Sequence, residues 1–507
     1  MARNANPNPR PSFTRRALLL GGGAALGYAA GRAWAPGLSQ LRGVPTLPDT
    51  DITRASPPLK LYVASELIAT PIHIHRRPAA HGDALVEAFR AELADARQNN
   101  RPVCVSAARH SMGGQSIPEN GHAITVDDAW IETDTDAQTY RVNGGARWSN
   151  VIRHLDPRGF SPAVMQSNHD FGVAATFSVG AHGWPVPYGP MGATVQQIRM
   201  VLPDGELVTA SRTENTQLFQ MAMGGYGLTG LIVDMVVDMV PNQRLTPSFA
   251  TMPASDFPET FRAAVDDPDR PMAYGRLNVA RDTLFEEALL VTYAPSADQA
   301  AIPPAVESGW ISHVASRLYR AQVGRERMKD VRWWTETVLA PRIAGDSTRN
   351  SLMNEPIETL DDRDPTRVDI LHEYFVPFDQ FDGFLQACRE VIPNAFVEFL
   401  NVTLRFVDTD TDSYLPHSPQ PTIAAVMSFT QEKTARAEAD HARMTRDLID
   451  RIVALGGTYY LPYRPHATLD QFTAAYPRAA EFAALKRQID PQLTLRNHLW
   501  DRYLTPL

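Results

Sequence analysis

The stretch PVCVSAARHSMGGQS, Pro102 to Ser116, decides the fold, because in it an apolar run leads directly into a turn of small residues. The run PVCVSAA, Pro102 to Ala108, predicts a buried strand, and the glycines of RHSMGGQS predict a turn at its end. Successive backbone N–H groups in such a turn form a concavity that binds anions. The stretch therefore predicts a phosphate-binding turn that carries a histidine, His110, at its mouth.

Three further turns of small residues follow along the chain. They are NGGARW (Asn143 to Trp148), FGVAATFSVGAHG (Phe171 to Gly183) and MGGYGLTG (Met223 to Gly230). One such turn is common in a hairpin, whereas several at strand ends predict a site for an extended ligand that contains a diphosphate. The last turn holds the literal pattern Gly-x-Gly-x-x-Gly, but a helix is predicted before it and a strand after it. A dinucleotide-binding fingerprint needs the opposite order, so this pattern does not predict a Rossmann domain.

The composition restricts the class of protein. A chain of 507 residues is too long for one ordinary core, which predicts two or three domains. Its hydrophobic content of 44% and charged content of 21% are typical of a globular protein. The net charge of −9, with no block of lysine or arginine, argues against nucleic acid as a partner. The two cysteines, Cys104 and Cys388, are too few for a disulfide framework.

Apolar periodicity predicts a mixture of helices and strands. A helix is expected after Asp83, a candidate N-cap, a hairpin over Gln197 to Ala210, and a long strand at LIVDMVVDMV, Leu231 to Val240. No βαβ unit repeats, so the predicted fold class is α+β. After about Arg244 the helices become longer and the strands more separated, which predicts a second domain.

Two groups of potential metal ligands are interpreted without a metal. DTDTDSYLPHSP begins like a calcium loop at Asp408, but its sixth and twelfth positions lack the glycine and the glutamate of such a loop. His73 and His75 would share one face of a strand, and no third ligand is spaced nearby. We therefore expect a solvated turn, a surface pair and no metal ligands.

Residues 1–35 are predicted to be a twin-arginine signal peptide. Arg15 and Arg16 precede an apolar segment from Ala17 to Gly31, and an Ala-x-Ala site, Ala33 to Ala35, follows it. The apolar segment is short for a membrane span, which needs about 20 residues. We therefore expect a periplasmic or secreted protein, with an uncleaved membrane anchor as the alternative. The proline-rich residues 36–65 are expected to form a linker.

In their order, the four turns resemble the vanillyl-alcohol-oxidase superfamily of flavoproteins, whose flavin domain is of the PCMH type. Within it, RHS is most similar to the alditol and aldonolactone oxidase branch. The resemblance implies an FAD-binding domain over residues 66–243, a substrate or cap domain over 244–490, and a C-terminal segment, 491–507, that returns to the flavin. It also implies a covalent bond from His110 to the flavin 8α-methyl carbon; the alternative is a histidine that only contacts the flavin. Ala107 and Arg109 stand where the superfamily commonly has the glycines of Gly-x-Gly-His-Ser.

The same resemblance implies which residues contact FAD. RHSMGGQS would wrap the pyrophosphate, FSVGAHG would lie along the isoalloxazine ring, and GGYGLTG would close on the other side. The implied contacts are Arg109, His110, Ser111, Met112, Gly113, Gly114, Gln115, Ser116, Gly172, Thr176, Ser178, Val179, Gly180, His182, Gly183, Gly227, Gly230, Leu231, Ile232 and Asn497.

The second half of the chain resembles the same branch at two segments. NVTLRFVDTDTDSYLP is similar to a strand on which alditol oxidases carry a Glu-x-Arg pair, and Thr403 and Arg405 occupy those positions here. YYLPYRPHATLDQF is similar to a segment that carries an active-site lysine. Tyr463 stands at the lysine position, with Arg464 and His466 beside it.

Oxidation of a carbon that bears a hydroxyl requires an acceptor for the hydroxyl proton and positive charge near the flavin N1. Tyr463 or His466 is the candidate for the proton, and Arg405 or Arg464 for the charge. In the alternative interpretation Arg405 pairs with Asp408 or Asp410 of the DTDTD turn as a structural bridge.

These residues predict an exported FAD-dependent oxidase or dehydrogenase. It would oxidise an alcohol group of a polyol, sugar or lactone-like substrate by hydride transfer to flavin N5 and pass electrons to oxygen, a quinone or a cytochrome. Two alternatives stay open: a flavoenzyme of the same fold that acts on a phenol or an amine, and a flavin-binding protein without catalytic activity.

Overall fold

The computed structural model describes residues 59–63, 67–307, 317–356 and 364–507. All of them belong to one unit, Pro58–Leu507. The predicted signal peptide and nearly all of the predicted linker lie outside the described residues. In the part of the chain that is described, no helix is both long enough and apolar enough to cross a membrane.

The strands and helices alternate irregularly, as the sequence predicts. The strands are β1 (Lys60–Tyr62), β2 (Ala69–Pro71), β3 (Ile74–Arg76), β4 (Val103–Val105), β5 (His122–Ile124), β6 (Ile131–Asp134), β7 (Thr139–Asn143), β8 (Phe160–Pro162), β9 (Val195–Val201), β10 (Leu207–Ser211), β11 (Leu231–Pro241), β12 (Arg244–Pro253), β13 (Met272–Leu277), β14 (Glu287–Pro295), β15 (Ser347–Thr348), β16 (Arg367–Pro377), β17 (Glu398–Val407), β18 (Thr422–Glu432) and β19 (Thr458–Tyr459). The α-helices are α1 (Gly82–Gln98), α2 (Trp148–Leu155), α3 (Val173–Ser178), α4 (Thr216–Ala222), α5 (Phe257–Val265), α6 (Glu326–Trp334), α7 (Ala340–Ile343), α8 (Arg349–Leu352), α9 (Phe381–Val391), α10 (Ala435–Ala454), α11 (Leu469–Ala475) and α12 (Ala479–Ile489).

Apart from the antiparallel pair of β1 and β2, the described residues form three sheets, of which the first is a small parallel sheet of order β3-β5-β4. Helix α1 connects β3 to β4 and buries Leu85, Phe89 and Leu93 against the apolar side chains of this region. The prediction that Asp83 caps this helix is wrong. The helix begins at Gly82, so Asp83 lies in its first turn, where a carboxylate is favourable because of the helix dipole.

The second sheet has six strands, with β11 at its centre between β7 and β9. The predicted hairpin is confirmed, because β9 and β10 pair antiparallel. Helix α4 precedes the turn MGGYGLTG and β11 follows it. This order confirms that Gly225 to Gly230 is not a dinucleotide-binding fingerprint.

The third sheet begins at Arg244 and has eight strands, in the order β15-β12-β14-β13-β17-β18-β16-β19. Strands β13, β17, β18 and β16 lie side by side in this sheet, in an order that differs from their order in the sequence. One face of these strands packs into the largest apolar core, with Leu404, Tyr374 and Met427 fully buried beside helices α9 and α10. The other face is therefore available for polar side chains.

The C-terminal segment returns to the first sheet. Leu495 forms a parallel bridge with Val103, whose backbone N–H donates to the carbonyl of Thr494 at 2.6 Å. The side chain of Asn497 donates to the carbonyl of Tyr226 at 3.0 Å, within the turn MGGYGLTG. The chain end thereby holds two of the predicted turns in place.

Candidate cofactor and active site

A cavity of about 1000 Å³ lies between the predicted turns and the polar face of the eight-stranded sheet. Residues from all four turns line it, together with Arg276, Glu373, Arg405 and Tyr463 from the second half of the chain. The turns and the sheet therefore form a single site.

The turn RHSMGGQS presents backbone donors to this cavity. Arg109 adopts a left-handed conformation with φ of 55°. The backbone N–H groups of Arg109, His110 and Ser111 donate to no acceptor in the described part of the chain. Successive N–H groups that have no acceptor among these residues form a concavity suited to an anionic ligand.

The later residues of this turn have structural roles instead. The N–H of Met112 donates to the Pro462 carbonyl at 2.7 Å, and the N–H of Gly113 donates to Gln115 Oε1 at 2.9 Å. A Cβ on Gly114 would lie 2.2 Å from Nδ1 of His498. Gly113 and Gly114 do not line the cavity. The small size of both glycines lets the C-terminal segments approach, and their contact with the cofactor stays a prediction.

His110 is held neutral and lines the cavity. Burial and the nearby Arg147 lower the pKa of the imidazole to about 4, although Asp170 opposes the shift. The ring lies 4.3 Å from the ring of Phe171, centre to centre. Its Nε2 is buried and has no hydrogen-bond partner among the described residues. A neutral imidazole nitrogen with an unused lone pair or proton is suited to contact or bond a ligand.

The two departures from the superfamily pattern have a structural explanation. Arg109 has the left-handed backbone that glycine adopts most easily, so the superfamily's glycine is a conformational requirement that arginine meets here with some strain. A Cβ on Gly172 would lie 2.2 Å from Cβ of Ala107. Ala107 is thus accommodated because the residue that faces it is glycine.

The third and fourth turns are only partly exposed to the cavity. Of the FAD contacts that the resemblance implies after residue 170, those that line it are Gly172, Thr176, Ser178, Val179, His182, Gly227, Gly230, Leu231 and Ile232. Gly180, Gly183 and Asn497 do not line it. A Cβ on Gly183 would lie 2.4 Å from the Met165 carbonyl oxygen, and Gly180 has φ of 60°, so both glycines serve the backbone itself.

Alternation along the strands places polar side chains on the cavity face of the sheet. Every second residue of β16 lines the cavity, from Arg367 to Glu373, and so do Asn401, Thr403 and Arg405 of β17. The pairing register joins Arg276 to Thr403, Thr403 to Val426, and Val426 to Glu373. These four residues therefore form one row across the sheet.

Glu373 connects the sheet to the third turn. One carboxylate oxygen accepts a short hydrogen bond from Nε2 of His182, and the other accepts from the Tyr463 hydroxyl at 3.1 Å. The side chains of Glu373 and His182 are each 3% exposed. A buried carboxylate shared by an imidazole and a phenol is a group that can accept and pass on a proton.

Tyr463 lines the cavity, where it is held as a neutral phenol and not as a phenolate base. Burial and then Glu373 raise the pKa of its hydroxyl well above the ordinary value, while Arg405 opposes the shift. A phenol with a raised pKa stays protonated. Tyr463 therefore donates to Glu373 and does not itself hold a negative charge.

Arg405 also faces the cavity. Its Nη2 lies 3.4 Å from Ser167 Oγ, and its Nε is buried without a partner in the described part of the chain. Burial lowers the pKa of the guanidinium, and the charges of Glu373 and Tyr463 raise it. Asp410 instead bonds within its own turn, to Ser413. The alternative of a structural bridge to the DTDTD turn is therefore wrong.

Of the four catalytic candidates, Tyr463 and Arg405 line the cavity and Arg464 and His466 do not. Both bind Glu438, His466 Nε2 at 2.9 Å and Arg464 Nε at 2.9 Å. Arg464 also donates to the carbonyl of Met112 at 3.2 Å. They form a partly buried polar cluster that ties helix α10 to the turn RHSMGGQS.

Comparison with known proteins decides what the turns bind. The profile of a family described as FAD binding domain matches residues 85–211, which include the first three turns. The chain contains an FAD-binding domain. FAD is thus the cofactor, and the predicted resemblance to flavoproteins of the PCMH type is confirmed for this part of the chain.

Parts of the chain are similar to known flavoprotein sequences. Alditol oxidase from a Streptomyces strain is 31% identical over 141 residues, 27% of this chain and 34% of that protein. L-gulonolactone oxidase from Bos taurus is 24% identical over 186 residues, 36% of this chain and 40% of that protein. Cytokinin dehydrogenase 1 from Arabidopsis thaliana is 28% identical over 151 residues, 28% of this chain and 26% of that protein. The chain thus spans only about a quarter to two fifths of these relatives.

The residues on the cavity fit FAD. The N–H groups of Arg109 to Ser111 would hold the diphosphate, and the unpartnered Nε2 of His110 lies on the same wall. Gly227 has φ of 69° and nothing within 4 Å of the position of a Cβ, so this backbone leaves room for a flat ring. Bound FAD would supply a two-electron acceptor beside the polar sheet face.

Sequence reasoning missed Glu373 and Arg276. Glu373 stands in ILHEYFVP, which is typical of a buried strand, and no turn or motif marks it. Its partner His182 is 191 residues away in the chain. The available indication was that a carboxylate and an arginine each occur at alternating positions of otherwise apolar strands, where an unpaired charge is costly.

Proposed function

We propose that this protein is an FAD-dependent oxidoreductase that oxidises an alcohol group of a polyol, sugar or lactone-like substrate. The observation that carries the proposal is the Glu373 carboxylate, held between His182 and Tyr463 on the wall of the FAD cavity. The similarity to an alditol oxidase and to an L-gulonolactone oxidase supports this substrate class.

The chain's own residues account for the proton and the charge. The hydroxyl of Tyr463 lies on the cavity and donates to Glu373, so in this proposal the substrate hydroxyl contacts Tyr463. Tyr463 gives its proton to Glu373 as it takes the proton of the substrate, which leaves the phenol neutral throughout. His182 holds the carboxylate in place, and Arg405 provides a cation beside it. The two electrons and the hydrogen of the carbon go to FAD.

We infer two further properties. His110 is the residue for covalent attachment of FAD, because it is neutral and its Nε2 has no protein partner in the described residues. The protein is exported by the twin-arginine route, because Arg15 and Arg16 precede a short apolar segment.

The test uses the purified full-length chain with FAD under anaerobic conditions. Alditols, sugars and aldonolactones are added one at a time, and reduction is followed as loss of the visible flavin absorbance. We expect at least one of these compounds to bleach the flavin, and Tyr463→Phe to bleach it far more slowly. Reoxidation by oxygen, a quinone or cytochrome c then identifies the electron acceptor. A flavin that is bleached by amines or phenols and by no alcohol would refute the proposal.

A further inference from the structure

Arg276 is an arginine of the cavity wall with unused donors. Its Nη1 donates to Asn401 Oδ1 at 2.7 Å and to Thr403 Oγ1 at 2.9 Å. Its Nε and Nη2 donate to no acceptor among the described residues, and the residue lines the cavity. The two bonds fix the plane of the guanidinium and leave its outer edge for a ligand.

Arg405 lies beside it on the same face of the sheet. Thr403 is the direct cross-strand partner of Arg276, and Arg405 follows two residues later, about 7–8 Å away along the diagonal. The buried Nε of Arg405 has no partner in the described part of the chain. Two guanidinium groups therefore face one cavity from neighbouring strands.

No acid of the described residues is hydrogen-bonded to Arg276 or Arg405, although Glu336 lies near Arg276 and Glu373 lies near Arg405. Glu373 is bonded to His182 and Tyr463. Glu336 is bonded to a third arginine, Arg332, at 2.8 Å. Three further acids line the cavity: Asp369 pairs with Arg320 at 2.5 Å, Asp364 accepts from the Thr366 hydroxyl at 2.7 Å, and Glu355 has interactions of its own. Two neighbouring cations in a half-buried site are costly unless an anion joins them.

We propose that Arg276, with Arg405 beside it, binds a carboxylate of the substrate, which makes the substrate a polyhydroxylated carboxylic acid. This inference rests on the proposed function. A planar carboxylate matches the two N–H groups at the edge of a guanidinium. Thr403 and Val426 separate Arg276 from Glu373 in one row of the sheet, about 14 Å from end to end between Cα atoms. A short hydroxylated chain would thus reach from the arginines to the proton acceptor.

The first experiment measures binding without turnover. Glutarate, which has no hydroxyl to oxidise, is titrated into the FAD-loaded protein, and the dissociation constant is read from the change in the visible flavin spectrum. We expect Arg276→Gln to weaken glutarate binding about 10- to 100-fold, because a charge-assisted hydrogen-bond pair is lost. Arg276→Lys should retain part of the affinity. The control Arg262→Gln removes an exposed arginine that pairs with Asp266, and it should leave the constant unchanged.

The second experiment compares matched substrates. Each of several pentose and hexose aldonates is tested beside its alditol, which differs only in having a hydroxymethyl group for the carboxylate. We expect lower KM values for the aldonates, and a rise in KM of at least about tenfold for them alone in Arg276→Gln. Equal KM values within the pairs, an equal effect of the variant on both, or tighter binding of a phosphorylated alditol would overturn the inference. If glutarate binds through Arg276 but no compound bleaches the flavin, the proposed oxidation fails and the carboxylate site stands.

Discussion

The replacement Glu373→Gln tests the proposed proton path most directly. Glutamine has nearly the same shape as glutamate, so it fits between His182 and Tyr463 and still accepts a hydrogen bond from the phenol. It cannot take up the proton of the substrate hydroxyl. The variant therefore separates the chemical role of the carboxylate from its role in packing.

The expected loss of rate is larger than the expected loss of stability. Removal of a positioned general base lowers the rate about 10²- to 10⁴-fold, which is about 3–5 kcal/mol of transition-state stabilisation. In the folded state, two charge-assisted bonds to the buried carboxylate become neutral ones, which costs about 1–3 kcal/mol. KM should change little, because both oxygens of Glu373 are held by the protein and the substrate contacts Tyr463 instead.

The assay is anaerobic rapid mixing of the loaded enzyme with substrate, with the rate of flavin bleaching as the readout and urea unfolding in parallel. Glu390→Gln is the control, since Glu390 pairs on the surface with Arg451, where a salt bridge contributes about 0–1 kcal/mol. Bleaching by Glu373→Gln within about threefold of the wild-type rate would refute the role of Glu373 as proton acceptor.

Three further predictions concern the covalent bond between His110 and FAD, the export of the protein, and the dependence of its stability on pH. After acid precipitation FAD should stay with the wild-type chain and be released from His110→Ala. The variant should still bind FAD before precipitation, through the N–H groups of the turn. If the wild-type chain also releases its flavin, His110 only contacts FAD and does not bond it. Replacement of Arg15 and Arg16 by lysines should leave folded, flavin-loaded protein in the cytoplasm, and normal export of this variant would contradict the twin-arginine route. The imidazole pKa values of His110 and His441 fall from 6.5 to about 4 and about 3 because of burial. The unfolded chain then binds more protons below about pH 6.5, so the free energy of unfolding should decrease as the pH drops from there. Urea unfolding of the FAD-free chain should show this slope, and His441→Gln should reduce it.

The glycine turns and their ligand could be predicted from the sequence because their requirements are local. RHSMGGQS needs a left-handed residue and exposed N–H groups within a few positions, and both requirements are met by residues adjacent in the chain. The reversed order of helix and strand around Gly225 to Gly230 is local in the same sense, and it correctly excluded a Rossmann domain. RHSMGGQS lies within residues 85–211, which match an FAD binding domain, whereas Gly225 to Gly230 lie beyond them.

Which glycines face the cavity could not be predicted. Gly113, Gly114 and Gly183 belong to the turns by sequence, but each lies against backbone or side chains from another part of the chain. A glycine that admits a ligand and a glycine that admits a distant segment look the same in a sequence, because both only mark the absence of a Cβ.

The tertiary structure decided which residues of the second half of the chain line the cavity. Tyr463, Arg464 and His466 are neighbours in the chain, but only the first lines the cavity, because Glu438 on helix α10 binds the other two. Glu373 reaches His182 across 191 residues. Its row with Arg276 depends on the register of four strands, in which a shift of one residue would turn these side chains into the apolar core. Local patterns thus determined that this chain binds FAD, whereas long-range strand pairing determined which acid and which cations face the substrate.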